Sequence, residues 1–469
     1  MPIIPILLSD SQALVEYKIS LDRRTVEESE ALELLADYRN YYAGDHALLL
    51  SNDQKTFMTG VITSSDHYPV DNKCRVVVDR LRALIDVQGV EGGGQSVGFQ
   101  ERDRVGTSPA DLVAEWWRAS SMNRWERELY KCALRDGEAY IMCWHDGTQP
   151  RMTVYQAWDG DTGMRMFYED PETRTTPMYA SRHWWQSDPV TLASVKRITV
   201  YTATGVYKYA RLGTKDQERR LEAMGVRVLG TDADGLSMVQ DPGDPGWPLP
   251  WVDGQGAPLG LAVTPFVTPG GSVLHDVLGL NNALNKTNVD ILALSDQQAF
   301  GQIVVQYDVL PEVTDDPTQD SDGLGLRPGR VLETTGQVTK LPADDLAGLL
   351  AAAEHWTTTI AGNTGLPMHA FVPLSGQIPS GAALELLESA QTDRAEEIAA
   401  SYTAGYEAVF ALLQRLGATF GGGSGEATAL TPVWKDTMRT DPDRELKLLQ
   451  VEQLRMAVEQ QRAGGEGLA

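Results

Sequence analysis

Three cysteines, seven histidines and a shortage of basic residues set the first limits on this 469-residue chain. Cys74, Cys132 and Cys143 are too scattered for a disulfide framework or a zinc site, and no C-x-x-C occurs. They read as buried thiols in a reducing compartment. The apolar run at residues 3–8 is broken by Pro5 and has no basic flank, so it does not read as a signal peptide. No apolar stretch reaches the roughly 18 residues that a membrane helix needs, and the product is expected in the cytosol when made. Lysine and arginine number 40 against 65 acidic residues, a formal charge of −25. Such a surface repels duplex DNA, which carries about one negative charge per 1.7 Å, and disfavours stable sequence-specific binding. Transient handling of DNA stays compatible with it.

The usual catalytic signatures are missing as well. There is no G-x-x-x-x-G-K-[ST] phosphate loop, no H-E-x-x-H and no G-x-S-x-G, since Glu426 stands where the run around Ser424 would need its closing glycine. Gly92-Gly93-Gly94 fails the dinucleotide fingerprint at Val97 and reads as a flexible loop. His46, His67, His145, His183, His275, His355 and His369 are far apart, so each reads as structural or superficial. Asp315, Asp316, Asp320 and Asp322 lack the closing glutamate of a calcium loop and read as a solvated turn. Asn285-Lys286-Thr287 falls within a helical segment, so its match to a glycosylation site is fortuitous. No cofactor and no metal are expected. A hydrolase using scattered carboxylates would need a pair of them in a pocket, and the sequence offers no clear pair.

What is present is a long chain with 42% hydrophobic residues, enough for a core and more than one subdomain. Helices are predicted at 24–42, stopping at Gly44, and at 73–84. Ser108-Pro109 is placed to cap and open another helix carrying Trp116 and Trp117, followed by one over 124–136 that ends at Gly137. The aromatic and arginine stretch Trp116-Trp117-Arg118 and Arg124-Trp125-Glu126-Arg127 reads as core with a salt-bridged rim rather than as a nucleic-acid platform. Strands follow to about residue 270, among them 139–144, 152–158, 164–168 and a hairpin over 198–210. Residues 241–269, rich in Pro and Gly, read as an irregular connector. Residues 272–300 form a long helical candidate. A compact insert at 301–341 contains Ile303, Val304 and Val305. Pro342 starts a helix, residues 366–379 carry three prolines, and Ser380 caps a helix running to about residue 416. Its stripe is Leu387, Gln391, Arg394, Ile398, Tyr402, Tyr406, Val409, Leu413 and Leu416. A strand at 430–434 and a helix capped by Asp441, with Pro442 in its first turn, end the sequence.

Four segments in this order resemble a known family. Tyr41-Tyr42-Ala43-Gly44-Asp45-His46 is similar to the close of its first helix, and Asp71-Asn72-Lys73 through Val76-Val77-Val78-Asp79 to its second. Ala133-Leu134-Arg135-Asp136-Gly137-Glu138-Ala139-Tyr140 looks like its turn into a strand. Ser380-Gly381-Ala382-Ala383-Leu384 looks like the start of its long helix. The family is the portal, or head–tail connector, proteins of tailed bacteriophages, of the siphophage type of Gram-positive hosts.

The resemblance implies a mixed α+β portal fold with an α/β wing, long stem helices, a small β-containing clip and a helical crown. The implied divisions are a wing at 1–271, a stem helix at 272–300, a clip at 301–341 and a second stem helix at 342–363. A tunnel loop at 364–379, a long wing and crown-side helix at 380–420, and a C-terminal strand with a short crown at 421–469 complete it. It further implies a non-enzymatic ring of about twelve subunits at a capsid vertex, assembled in the host cytoplasm. The implied partners are double-stranded DNA passing through, the terminase large subunit, a head–tail adaptor, and major capsid and scaffolding proteins, with no membrane. His369, Ser375 and Gln377 are the candidates to face DNA. Asp315, Asp316, Asp320, Asp322, Arg327 and Arg330 are the candidates to face the motor or adaptor. A head–tail adaptor or minor capsid protein is the alternative within the virion.

Overall fold

The computed structural model describes residues 26–46, 70–100, 106–170, 173–187, 194–231, 236–299, 303–306, 331–334, 346–372, 381–423 and 428–435. The chain divides into two units, one of residues 1–35, 79–272 and 373–469 and the other of 36–78 and 273–372. Helices α1 (Val26–Ala43) and α2 (Lys73–Leu84) cross the division. Both agree with the sequence expectation, α2 to the residue.

The first unit is built on three sheets. Strands β1 (Val87–Gly92) and β2 (Gln95–Gly98) form a hairpin whose turn is the expected flexible loop, now corrected to a tight two-residue turn. Gly93 and Gly94 have φ of 61° and 78°, the left-handed pair that lets a hairpin turn match the strand twist. Helix α3 (Pro109–Ala119) starts in a reciprocal cap, since the Ser108 hydroxyl accepts from the Asp111 amide and the Asp111 carboxylate accepts from the Ser108 amide. Helix α4 (Met122–Asp136) follows and stops at Gly137.

Strands β3 (Glu138–His145) and β4 (Pro150–Gln156) pair antiparallel, and α4 packs on both. The larger sheet runs β5 (Gly163–Tyr168), β6 (Pro177–Ser187), β7 (Ser194–Tyr201), β8 (Gly205–Arg211), then β10 (Leu236–Gln240) and β9 (Arg227–Thr231). Helix α5 (Lys215–Ala223), not anticipated among the strands, is capped by Thr214 and packs on β9. The segment read as an irregular connector contains β11 (Leu249–Pro250) on β8 and β12 (Val263–Val267) on β3. Its Trp247 stands edge-on to Tyr207 and Tyr209, so it closes one face of the large sheet.

The second unit holds α6 (Leu278–Ala299), the parallel strand pair β13 (Ile303–Gln306) and β14 (Val331–Thr334), and α7 (Leu346–Thr364), with α6 and α7 packed together. Helix α6 starts six residues later than the sequence suggested. The hydroxyl of Ser272 donates to the Arg135 carbonyl, and residues 273–277 form turns. The predicted starts at Pro342, Ser380 and Asp441, and Pro442 with it, lie outside the described residues.

Helix α8 (Gly381–Phe420) runs 40 residues, about 60 Å at 1.5 Å per residue. In the first unit it packs on β3, β12 and β15 (Thr431–Trp434). The predicted stripe is buried at Ile398, Tyr402, Tyr406, Val409, Leu413 and Leu416. Gln391 is buried with them, whereas Leu387 is 51% exposed and Leu386 beside it 77%, and Arg394 is only partly covered. Where α8 crosses α3, a Cβ on Gly417 would stand 2.8 Å from the Trp116 ring, so glycine there sets the approach of the two helices. Strand β15 pairs with β1 and supplies Trp434 to the same core.

Candidate functional site

The second unit contains the helix, strand pair and helix on which the sequence expectation rests. Helix α6 buries two asparagines, Asn281 and Asn285, among Val277, Leu284 and Val289. A buried amide is costly unless every polar atom finds a partner. Here the main chain entering α2 supplies them. The Asn281 carbonyl oxygen accepts from the Lys73 amide at 2.9 Å, and that of Asn285 from the Asp71 amide at 2.8 Å. The Asn281 side-chain nitrogen donates to the Asp71 carbonyl at 3.0 Å. Both amide nitrogens also face Nδ1 of His46, at 3.1 and 3.2 Å. The other ring nitrogen of His46 donates to the Tyr41 carbonyl at 3.0 Å, and its ring stacks on Tyr41.

Lys73 extends this node. Its ammonium donates to the carbonyl of Phe371 and pairs with Asp71 at 3.0 Å. Phe371 closes the single 3-10 turn Met368–Ala370, which packs on α7 and carries His369, a partly exposed residue. Of the three expected DNA-facing residues only His369 is described; Ser375 and Gln377 lie outside the described residues. So do Asp315, Asp316, Asp320, Asp322, Arg327 and Arg330, leaving β13 and β14 as the described part of the insert. Elsewhere in the node Asn72 accepts from the Arg75 amide and caps α2, while the Arg75 guanidinium donates to the carbonyls of Tyr42 and Ala43 at the end of α1. The motifs at 41–46 and 71–79 thus meet in one place.

Sequence reasoning missed this node because buried asparagines on a helix look like surface residues. It also missed a carboxyl pair in the first unit. Glu126, expected in a salt-bridged rim, is buried, and its carboxyl group bonds to that of Asp86. Burial above all, then the Asp86 charge, pushes Glu126 up to about 9, so it is protonated at neutral pH. Trp116 and Trp117 are core as expected. Trp125 is 43% exposed under the Arg124 guanidinium.

A carboxyl pair at a groove is what an acid–base hydrolase would use. Asp86 does line a groove, with Leu84, Ile85, Glu396, Ala399, Ala400, Thr403, Trp434 and Lys435. That lining is apolar at Leu84, Ile85, Ala399, Ala400 and Trp434 and contains neither histidine nor cysteine. Among the described residues no group of three histidine, cysteine or acidic side chains is placed to hold a metal, and no helix is long and apolar enough to cross a membrane. The three thiols are buried, and burial pushes Cys74 and Cys132 up to about 12, which leaves them unreactive.

Two long helices around a small strand pair, then a 40-residue helix anchored in an α/β body, define a structural assembly protein of mixed α+β class. Residues 27–461 match the model of the family described as phage portal protein, SPP1 Gp6-like, and the chain belongs to that family. It is a portal protein, a structural component of the bacteriophage virion that works as an oligomer. No curated protein matches the chain individually.

Proposed function

We propose that the chain forms a ring of about twelve copies at one capsid vertex, the channel for genome packaging and ejection. The supporting observation is the family match over residues 27–461, joined to the order helix, strand pair, helix and long helix. On this reading 1–271 is the wing, 272–300 and 342–363 the stem helices, 301–341 the clip and 364–379 the tunnel loop. The 380–420 helix lies on the wing and crown side, and 421–469 ends in a short crown. The clip, with Asp315, Asp316, Asp320, Asp322, Arg327 and Arg330, would meet the terminase large subunit and later the head–tail adaptor. Major capsid and scaffolding proteins complete the partners, assembly takes place in the host cytoplasm, and the motifs favour the siphophage type. The protein performs no catalysis of its own.

A conduit must not hold its cargo. Some twelve copies at −25 each give roughly −300 per ring, a surface with little attraction for phosphate. His369, Ser375 and Gln377 would be local contacts for a backbone in transit.

Negative-stain imaging and solution mass of the purified full-length chain test the reading. Rings with a central hole are expected, and compact monomers alone at high concentration would reject it. Replacement of residues 366–379 by a glycine–serine linker is expected to impair packaging while rings still form; unchanged packaging would remove the loop from the mechanism.

A further inference from the structure

We infer that His46, gripped by Asn281 and Asn285, is a proton-sensitive latch that positions residues 366–372 against the entry to α2. Backbone groups have fixed roles, so the Lys73 and Asp71 amides require an oxygen from Asn281 and Asn285, and the Asp71 carbonyl requires a donor from Asn281. Neither side chain can flip without setting donor against donor. Both NH2 groups therefore point at Nδ1 of His46, which must offer a lone pair. The Tyr41 carbonyl only accepts, so Nε2 carries the proton. This geometry admits one form of the ring, the neutral Nε2–H tautomer.

A proton on Nδ1 would face two N–H donors inside a buried site. The other groups around the ring are Asp45 and the Tyr41 ring from the end of α1, and Asp71, Asn72 and Lys73 from the entry to α2. Asp45 and Asp71 favour the charged ring, yet burial outweighs them and holds the imidazole below its ordinary value. On α6, Lys286 is paired with Asp290.

The consequence reaches residues 366–372 through Lys73. Its amide is fixed by Asn281 and its ammonium holds the Phe371 carbonyl. Loosening the asparagines frees the backbone that aims this lysine. Opening of the node takes up one proton, so the closed state is fully favoured above the ordinary histidine value of about 6.5. Its advantage falls about tenfold per pH unit as the pH drops from there toward the lowered value. That these residues lead into a tunnel loop is the separate reading above, and the latch stands or falls without it.

Hydrogen exchange by mass spectrometry on the full-length assembled protein, at pH 7.5 and pH 5 with intrinsic rates corrected, tests the latch. Protection at residues 70–74 and 366–372 is expected to fall about tenfold or more at the lower pH, while Met122–Asp136 keeps its protection. His46→Gln offers an acceptor and a donor that do not titrate, and its protection should be flat with pH. Equal wild-type protection at both pH values, or the same slope in the glutamine variant, overturns the proposal. Slow exchange at the imidazole carbon gives the His46 titration directly in the wild type, so a glutamine variant that fails to fold leaves a decisive measurement. A value at or above about 6.5 would also overturn it.

Discussion

Replacement of Trp117 by alanine is expected to cost about 3–5 kcal/mol of stability, the usual loss for a fully buried indole. Its ring stacks on Phe99 at 4.2 Å, meets Tyr406 on α8 at 5.8 Å, and donates to Asn123 at 2.7 Å. One truncation thus opens a void between α3, the β2 end and the long helix, and removes the indole's bond to Asn123. Trp125→Ala is the internal control. That ring is 43% exposed, and surface changes of this kind usually fall within about 0.5 kcal/mol. Denaturant midpoints for the two variants make the comparison, and a loss below about 1 kcal/mol at Trp117 would mean that the aromatic cluster does not hold α8.

Glu126→Gln has the opposite sign. A carboxyl group whose value rises from 4.5 unfolded to about 9 folded contributes its full stability below the lower value and loses it as pH rises toward the upper. Each pH unit in that window is worth about 1.4 kcal/mol, so on the order of 2–4 kcal/mol is missing near pH 7.5 compared with a neutral group of the same shape. Glutamine can donate to Asp86 as the protonated acid does, and accept from the Val87 amide. The variant should therefore unfold at higher denaturant than wild type at pH 8 and at the same denaturant near pH 4.5. Coincident wild-type and variant midpoints at both pH values would show that Glu126 is not held protonated. The neighbouring hydroxyls of Tyr130 and Tyr406, bonded at 2.8 Å and pushed up chiefly by burial, share this buried site.

Local signals were readable where one residue type has one physical use. Ser108 directly before Pro109 announced its cap, Gly137 announced the end of α4, and the apolar spacing of α2 gave both its ends. The second half of the α8 stripe was equally plain, because Tyr402, Tyr406 and Val409 recur at helical steps against a sheet. Periodicity reports that a face is apolar and not what covers it, which is why Leu387 looked like core and is exposed. Gly93-Gly94 failed to read as a hairpin because the flanking strands alternate weakly, as Gln95 and Ser96 show. The helix expected from residue 272 begins at Leu278, and Ser272 bonds to a carbonyl 137 positions earlier, a partner that sequence distance hides. The node at His46 was half legible. Its motifs were recognised one by one, whereas the asparagines that join them are chosen by main-chain donors and acceptors no local pattern displays. Asp86 and Glu126, 40 positions apart, escaped for the same reason.

The long helix is a beam clamped at one end. From Ile398 to Leu416 its side chains are locked into aromatic rings, and bending that stretch would break main-chain bonds and packing together. Its opening turns, with Leu386 and Leu387 bare, have no such grip within the first unit. A push delivered at those leucines is therefore carried along some 45 Å of stiff rod to its root, where Gly417 presses on Trp116. Small tilts at the root become large excursions at the tip, and whatever seizes the tip steers the root.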